Sequence, residues 1–222
     1  MKMNDKCYMC GEIKYSEEHV PAKCFFQKED QYRRNLIKVP SCKKHNEDTS
    51  KDDEYVRNII CMSIGNNAVA YKQFIEKVLK SFQHSPALQN QTLQTIKQVY
   101  VKKCQNVEST FAFSIDRDRF DKVMRKIGYA LYYYKYGKVW QCELIVATEF
   151  LLDKNMHQDK LGEFISSIKS ELKIPEFDGK NPQVFQYKFE ETETEDVILW
   201  MKFYEGFEVF IIPNINTSNP CL

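Results

Sequence analysis

The stretch that decides the fold is residues 7–46, which read Cys7-x-x-Cys10, then Glu18-His19-Val20-Pro21, then Asn35-Leu36, then Cys42-x-x-His45-Asn46. Two close-set pairs of soft metal ligands flank a histidine and two asparagines, an order that packing alone does not explain. Three thiols and one imidazole are the ligand types that close a tetrahedral zinc shell with no open position. We therefore predict a structural zinc site at Cys7, Cys10, Cys42 and His45, which would tie together short elements that cannot form a core alone.

The segment between the two ligand pairs carries the candidate chemistry. Glu18 and His19 are adjacent at the edge of a short strand that Pro21 ends. A carboxylate can bind a hard divalent cation, while a neutral imidazole can take a proton from an attacking water. Asn35 and Asn46 are the other two polar groups that such a site requires.

Residues 7–54 resemble the HNH endonuclease family of ββα-metal nucleases. The family pattern is Cys-x-x-Cys, an acidic residue or His before a key His, a Pro shortly after it, Asn-Leu, and a second Cys-x-x-Cys followed by Asn or His. The resemblance implies that His19 is the general base and that Asn35 braces the loop bearing it. It also implies that Glu18 and Asn46 hold a catalytic divalent cation, and it assigns the structural zinc to the four ligands named above. His45 stands where cysteine is usual, and Glu18 stands where Asp is commoner.

The function implied by this resemblance is metal-dependent hydrolysis of phosphodiester bonds in DNA. Mg²⁺ or Mn²⁺ is the expected catalytic cation, because its ligands would be oxygens. Two alternatives stay open at this point. One is a zinc-stabilised module that binds nucleic acid or protein without catalysis, and the other is an RNA nuclease using the same site. A role in antiviral defence is a hypothesis by family analogy only.

The charge of the chain is unevenly distributed along its 222 residues. The formal net charge is +1, yet residues 56–137 carry 13 basic and 5 acidic side chains, whereas residues 138–222 carry 8 basic and 15 acidic ones. A basic segment is a natural contact for a polyanion, although two ordinary solvated faces would give the same counts. The candidate nucleic-acid contacts in this segment are Lys102, Lys103, Arg117, Arg119, Arg125 and Lys126.

Composition limits the class of protein and its location. The chain is 43% hydrophobic and therefore able to bury a core. No apolar run approaches the roughly 20 residues needed to span a bilayer, and the N-terminus has no apolar signal core. We expect a cytoplasmic protein without membrane contact, in which the eight cysteines serve metal binding or packing rather than disulfides.

The expected fold class is α+β, with a ββα-metal module followed by helices and a mainly antiparallel C-terminal sheet. We divide the chain into a nuclease module, 1–65, and an α+β domain of unknown role, 66–222, through which a protein partner or a second copy could dock. Helical periodicity covers 50–65, 67–82, 116–137 and 159–173, and a further helix opens at Pro86 and runs to Tyr100. The strands are expected at 20–21, 36–40, 107–115, 139–149, 183–190, 197–204 and 207–212.

Overall fold

The structure is a computed structural model, and it describes residues 5–85, 89–90, 93–103, 106–149, 158–171, 176–191 and 197–214. The start of the helix expected at Pro86 and two of the eight cysteines, Cys104 and Cys221, lie outside these residues. Within them, no helix combines the length and the apolar character that crossing a membrane requires.

The N-terminal region forms a two-stranded antiparallel hairpin followed by helices. Strands β1 (Ser16–Val20) and β2 (Ile37–Ser41) pair so that His19 lies opposite Lys38. Between them lie a 3-10 turn, Lys23–Phe25, and a short helix, α1 (Asp30–Arg33). After β2 the chain enters α2 (Lys43–Asn46), a 3-10 turn (Glu47–Thr49) and α3 (Ser50–Met62). The order β, β, α agrees with the expected module at this level of detail.

The middle of the chain contains one long irregular helix and a second hairpin. Helices α4 (Ala68–Gln73) and α5 (Leu79–His84) are joined by a π-helical segment, Phe74–Val78, and the Asn67 side chain caps the start. Strands β3 (Lys97–Lys103) and β4 (Asn106–Ala112) then pair antiparallel. The prediction of a helix reaching Tyr100 is wrong, because residues 97–103 are rich in Val and Tyr and pair with β4 instead.

The longest helix, α6 (Arg117–Tyr136), begins and ends where its sequence predicts. The Asp116 side chain accepts a hydrogen bond from the Arg119 backbone N–H, which caps the N-terminus. Gly137 ends the helix in a left-handed conformation with φ 67°. One face of α6 packs against α3 and the N-terminal hairpin, and the same helix also contacts the C-terminal sheet. Helix α6 therefore packs against both the N-terminal hairpin and the C-terminal sheet.

The C-terminal region is a five-stranded, fully antiparallel sheet, as expected, in the order β5-β9-β8-β7-β6. Its elements are β5 (Leu144–Ala147), helix α7 (Gln158–Glu171), β6 (Asp178–Asn181), β7 (Phe185–Glu191), β8 (Val197–Phe203) and β9 (Phe207–Pro213). The β8–β9 turn places Tyr204 and Glu205 at positive φ, 47° and 61°, as a tight hairpin requires. Gly206 is needed for another reason, since a Cβ there would lie 2.2 Å from Gly65 O.

One hydrophobic core extends across both expected domains. It contains Tyr8 and Val39 of the N-terminal hairpin region, Met124 of α6, and Phe203 and Val209 of the sheet. A smaller cluster lies on the other face of the sheet, where Ile165 and Ile168 of α7 pack near Trp200. Segments 1–65 and 66–222 therefore share buried contacts, and the N-terminal hairpin is built onto the same core as the sheet.

Candidate functional site

The four expected zinc ligands form a single compact cluster. Their ligand atoms all lie within 4.8 Å of one another. His45 Nδ1 is 3.4 Å from Cys7 Sγ and 3.3 Å from Cys42 Sγ, and Cys10 Sγ is 3.8 Å from Cys42 Sγ. Zinc with bonds of about 2.3 Å to sulfur and about 2.0–2.1 Å to nitrogen would set such atoms roughly 3.5–3.8 Å apart. The cluster fits a structural metal ion such as zinc, and the sulfur atoms are too far apart for a disulfide, which needs about 2.05 Å.

Two local features hold the cluster in place. Gly11, with φ 72°, turns the chain back after Cys10, so that Cys7 N–H can donate to Glu12 O at 2.7 Å. The second ligand pair begins α2, directly after β2. Burial opposes ionisation of the Cys7 thiol, but its pKa nevertheless lies below the ordinary value because backbone N–H groups point at the sulfur, those of Met9, Cys10 and Cys42. These groups favour the thiolate, which is the form that binds metal.

Glu18 and His19 lie on opposite faces of the N-terminal hairpin. Successive side chains of a strand alternate, and both residues lie inside β1. Glu18 is 4% exposed and faces the interior, whereas His19 is only partly buried and shares the outer face with Lys38. The structure therefore does not bring these two side chains together at one site.

The Glu18 carboxylate belongs to a buried ion cluster centred on Lys126 of α6. Lys126 Nζ lies 2.9 Å from Glu18 Oε1 and 2.7 Å from both carboxylate oxygens of Asp53, and it also donates to Thr49 Oγ1 at 2.9 Å. Lys126 itself is 4% exposed. Burial opposes its charge, but the two carboxylates raise the pKa of Lys126 above its ordinary value, so it stays an ammonium. This cluster fastens the hairpin and α3 to α6.

The residues expected to hold a catalytic cation do not fit one as they lie. One Glu18 oxygen is bound to an ammonium, and the buried carboxylate also has the Tyr8 hydroxyl beside it. A divalent ion beside Lys126 would meet like charge, and a substrate phosphate could not reach it. Asn46 Nδ2 donates to Ser16 Oγ at 2.7 Å, which places Asn46 near the Glu18 face of the hairpin. Glu18 and Asn46 therefore do not form a site for a divalent cation as they lie.

The outer face of the hairpin presents His19 to a group of cations. Burial lowers the pKa of His19, and the nearby charges of Lys23, Lys38 and Arg33 lower it further, while Glu17 opposes them. The imidazole is therefore neutral at physiological pH, as a general base must be. The same positive charges would attract a phosphodiester and neutralise charge that develops on it.

Asn35 lies at the other end of the hairpin loop. It adopts a left-handed conformation with φ 54°, two residues before Ile37, which pairs with Val20. Asn is one of the few non-glycine residues that adopt this conformation readily. The side chain is exposed. The position suits a residue that shapes the loop after His19, and the bracing role stays a prediction.

The basic candidates of the middle segment are largely engaged within the fold. Arg117 Nε lies 2.7 Å from Asp121 Oδ1, Arg119 Nε lies 2.8 Å from Asp52 Oδ1, and Arg125 Nε donates to Leu144 O at 2.8 Å. These three side chains remain partly exposed, so a nucleic-acid contact stays a prediction for them. For Lys126 the structure contradicts the prediction, because its ammonium is buried among carboxylates. The side chains of Lys102 and Lys103 lie outside the described part of the chain.

Sequence reasoning missed the cations that surround His19 and the partner of Glu18. Lys38 reaches the His19 face through the register of the hairpin, and Arg33 and Lys23 reach it through the loop between the strands. Neither of these spatial contacts can be predicted from the spacing of residues in the sequence. The alternation of buried and exposed side chains in β1 could have predicted that Glu18 and His19 face opposite sides. The strand was, however, expected only at 20–21. Comparisons with protein-family models, with curated proteins and with solved structures found no match to this chain.

Proposed function

We propose that this protein is a nuclease that hydrolyses phosphodiester bonds in DNA, with His19 as its general base. The single observation that carries the proposal is the His19 face itself. It presents a partly buried imidazole with a lowered pKa, on a hairpin tied down by a Cys₃His cluster and surrounded by three cations. A purely structural histidine has no need of these surroundings.

The chemistry follows from the positions of these groups. The neutral imidazole of His19 takes a proton from water as the oxygen of that water attacks phosphorus. The bond from phosphorus to the 3′ oxygen breaks, which leaves a 5′-phosphate and a 3′-hydroxyl, and the departing oxygen takes a proton from solvent. Lys38, Lys23 and Arg33 neutralise the charge that develops on the phosphate. General-base catalysis contributes a factor on the order of 10² to 10⁴.

The steps described above do not use the expected Mg²⁺ or Mn²⁺. A catalytic cation would have to find ligands other than the Glu18 carboxylate while Lys126 holds it. A divalent cation, if one supports cleavage, would supply Lewis-acid chemistry at the substrate phosphate.

A second candidate function is a zinc-stabilised nucleic-acid-binding module without catalysis. The observation that favours it is the pairing of Glu18 with Lys126, which removes from the outer face a carboxylate that the nuclease pattern requires. A module of this kind would keep the cations around His19 and would have no use for a neutral imidazole.

The test is a cleavage assay on supercoiled plasmid and on single-stranded RNA of matched length. Each substrate is incubated without added metal, with Mg²⁺, with Mn²⁺ and with EDTA, and the zinc content is measured after each incubation. We expect nicking of the plasmid with zinc retained. Binding of DNA without cleavage in every condition would instead establish the binding module, and cleavage confined to RNA would reassign the substrate.

A further inference from the structure

Two cations converge on the backbone segment that follows β1. Arg33 donates from Nε to Gln27 O at 2.8 Å and from Nη2 to Phe26 O at 3.3 Å. Lys77, in the π-helical segment, donates to the same Phe26 O at 3.2 Å and to Cys24 O at 3.4 Å. Two positive side chains thus share one carbonyl oxygen. Arrangements of this kind are unfavourable unless a negative charge lies nearby.

A third cation, Arg57 of α3, lies close to them. It is only 4% exposed, and its Nε donates to Asn58 Oδ1 at 3.0 Å. Neither Nη atom makes a hydrogen bond to any residue that the structure describes. Burial lowers the pKa of Lys77 to about 8, and the charges of Arg57 and Arg33 act in the same direction. The three groups therefore form one positively charged cluster.

In the described part of the chain, the charges of Asp53 and Glu54 reach the region of this cluster, since they act on Cys24 together with Arg57 and Lys77. No carboxylate there lies within ion-pair distance of Arg33, Arg57 or Lys77. The titratable groups that favour the charged form of Lys77 are the thiols of Cys24 and Cys61. Burial raises the pKa of Cys24 to about 12 and that of Cys61 to about 11, so both thiols stay neutral. Arg57 makes no ion pair with a described carboxylate, and its Nη atoms are not among the buried polar atoms that lack a partner, so they reach solvent and can bind an anionic ligand.

We propose that Arg33, Lys77 and Arg57 form a phosphate-binding site. Lys77 has three N–H donors and uses two, while each arginine has five and uses two at most, so several donors remain to bind an anion. A phosphate accepts many hydrogen bonds and suits a site built from arginine forks and a lysine. Lys77 and Arg33 are partly exposed, and the ligand enters from their side.

The site adjoins the His19 face. Arg33 belongs to both, because its charge also lowers the pKa of His19. A phosphodiester backbone lying across His19 would therefore place a neighbouring phosphate in this cluster. The site is argued from the unpaired cations alone and does not depend on cleavage, so it would also serve a binding module.

The experiment measures affinity for inorganic phosphate by calorimetry, at an ionic strength held constant with chloride. The variants are Lys77→Gln and Arg33→Gln, which keep polar side chains that can bind the backbone carbonyls. The matched control is Lys72→Gln, because Lys72 lies one turn away on the same helix and is exposed beside Glu29. Losing one charge-assisted hydrogen bond should weaken phosphate binding about ten-fold or more, and the control should bind as the wild type does.

A second arm identifies the source of the phosphate and guards against variants that misfold. A short DNA oligonucleotide is titrated into His19→Ala protein with and without Lys77→Gln, and the rate of Lys77 acetylation in the wild type is followed by mass spectrometry with and without phosphate. We expect the oligonucleotide to lose affinity with Lys77→Gln and phosphate to protect Lys77. If only inorganic phosphate depends on Lys77, the site takes a free phosphate group. Unchanged phosphate affinity in both variants, or no protection of Lys77, would overturn the proposal.

Discussion

The ion cluster around Lys126 allows a quantitative test of how the hairpin is fixed to α6. The Lys126→Met substitution keeps a long unbranched side chain but removes the ammonium group. Two buried carboxylates, Glu18 and Asp53, are then left without a cation. Removing one partner of a buried pair costs about 3–5 kcal/mol. For a chain of this size, that corresponds to a fall in melting temperature of roughly 6–20 °C.

The matched control is Lys122→Met, on the same helix. The Lys122 side chain is 59% exposed and lies 3.1 Å from Asp52. Exposed pairs contribute about 0–1 kcal/mol, so this variant should melt close to the wild type. Thermal unfolding of all three proteins is followed by circular dichroism at neutral and at mildly acidic pH.

The pH dependence of this difference has a definite sign. Burial raises the pKa of both Glu18 and Asp53, and Lys126 opposes that rise. Without Lys126 the pKa values of both carboxyl groups rise further. The loss of stability arises because the ionised carboxylates are buried without a cation. The gap between Lys126→Met and the wild type should therefore be largest at neutral pH and should narrow as the pH falls. A Lys126→Met protein as stable as the wild type at neutral pH would refute the claim that the ion cluster around Lys126 stabilises the fold.

Three further outcomes are expected. Purified protein should contain about one tightly held zinc, and Cys42→Ser should lower both zinc content and melting temperature; folded protein free of metal by elemental analysis would contradict the predicted structural zinc site. The cleavage rate should rise with pH through a value below the ordinary histidine pKa and level off near neutrality, because His19 must be deprotonated; a rate that falls over that range would exclude it as the base. Gly206→Ala should destabilise the fold by about 1–3 kcal/mol in urea titrations, since its Cβ would overlap Gly65 O, whereas a neutral effect would mean that the 63–67 turn yields easily.

The features that the sequence predicted well are those that depend on residues close together in the chain. The Cys₃His cluster could be predicted because each half of it is a pair at fixed local spacing. Helix α6 could be predicted because Asp116 and Gly137 mark its two ends. Four strands of the C-terminal sheet, β5, β7, β8 and β9, were predicted, whereas β6 was not. In each case the signal and the structure lie in the same short stretch of chain.

The features that were missed depend on contacts distant in sequence. Lys126 was counted among the candidate nucleic-acid contacts, since nothing near it in the chain shows that Glu18 and Asp53 surround it. The apolar residues before Tyr100 are compatible with a helix or a strand, and only the pairing of β3 with β4 decides between them. Strand β1 begins at Ser16, earlier than expected, and this is what sends Glu18 and His19 to opposite faces.

The most direct test of the proposed nuclease is plasmid nicking by His19→Ala beside the wild type. His84→Ala serves as the matched control, because His84 is exposed at the end of α5 and belongs to neither strand of the hairpin. Zinc content, melting temperature and DNA affinity are measured on all three proteins to show that the fold survives. We predict that His19→Ala lowers the cleavage rate by a factor on the order of 10² to 10⁴, with His84→Ala unchanged. Equal cleavage by His19→Ala and the wild type would contradict the account.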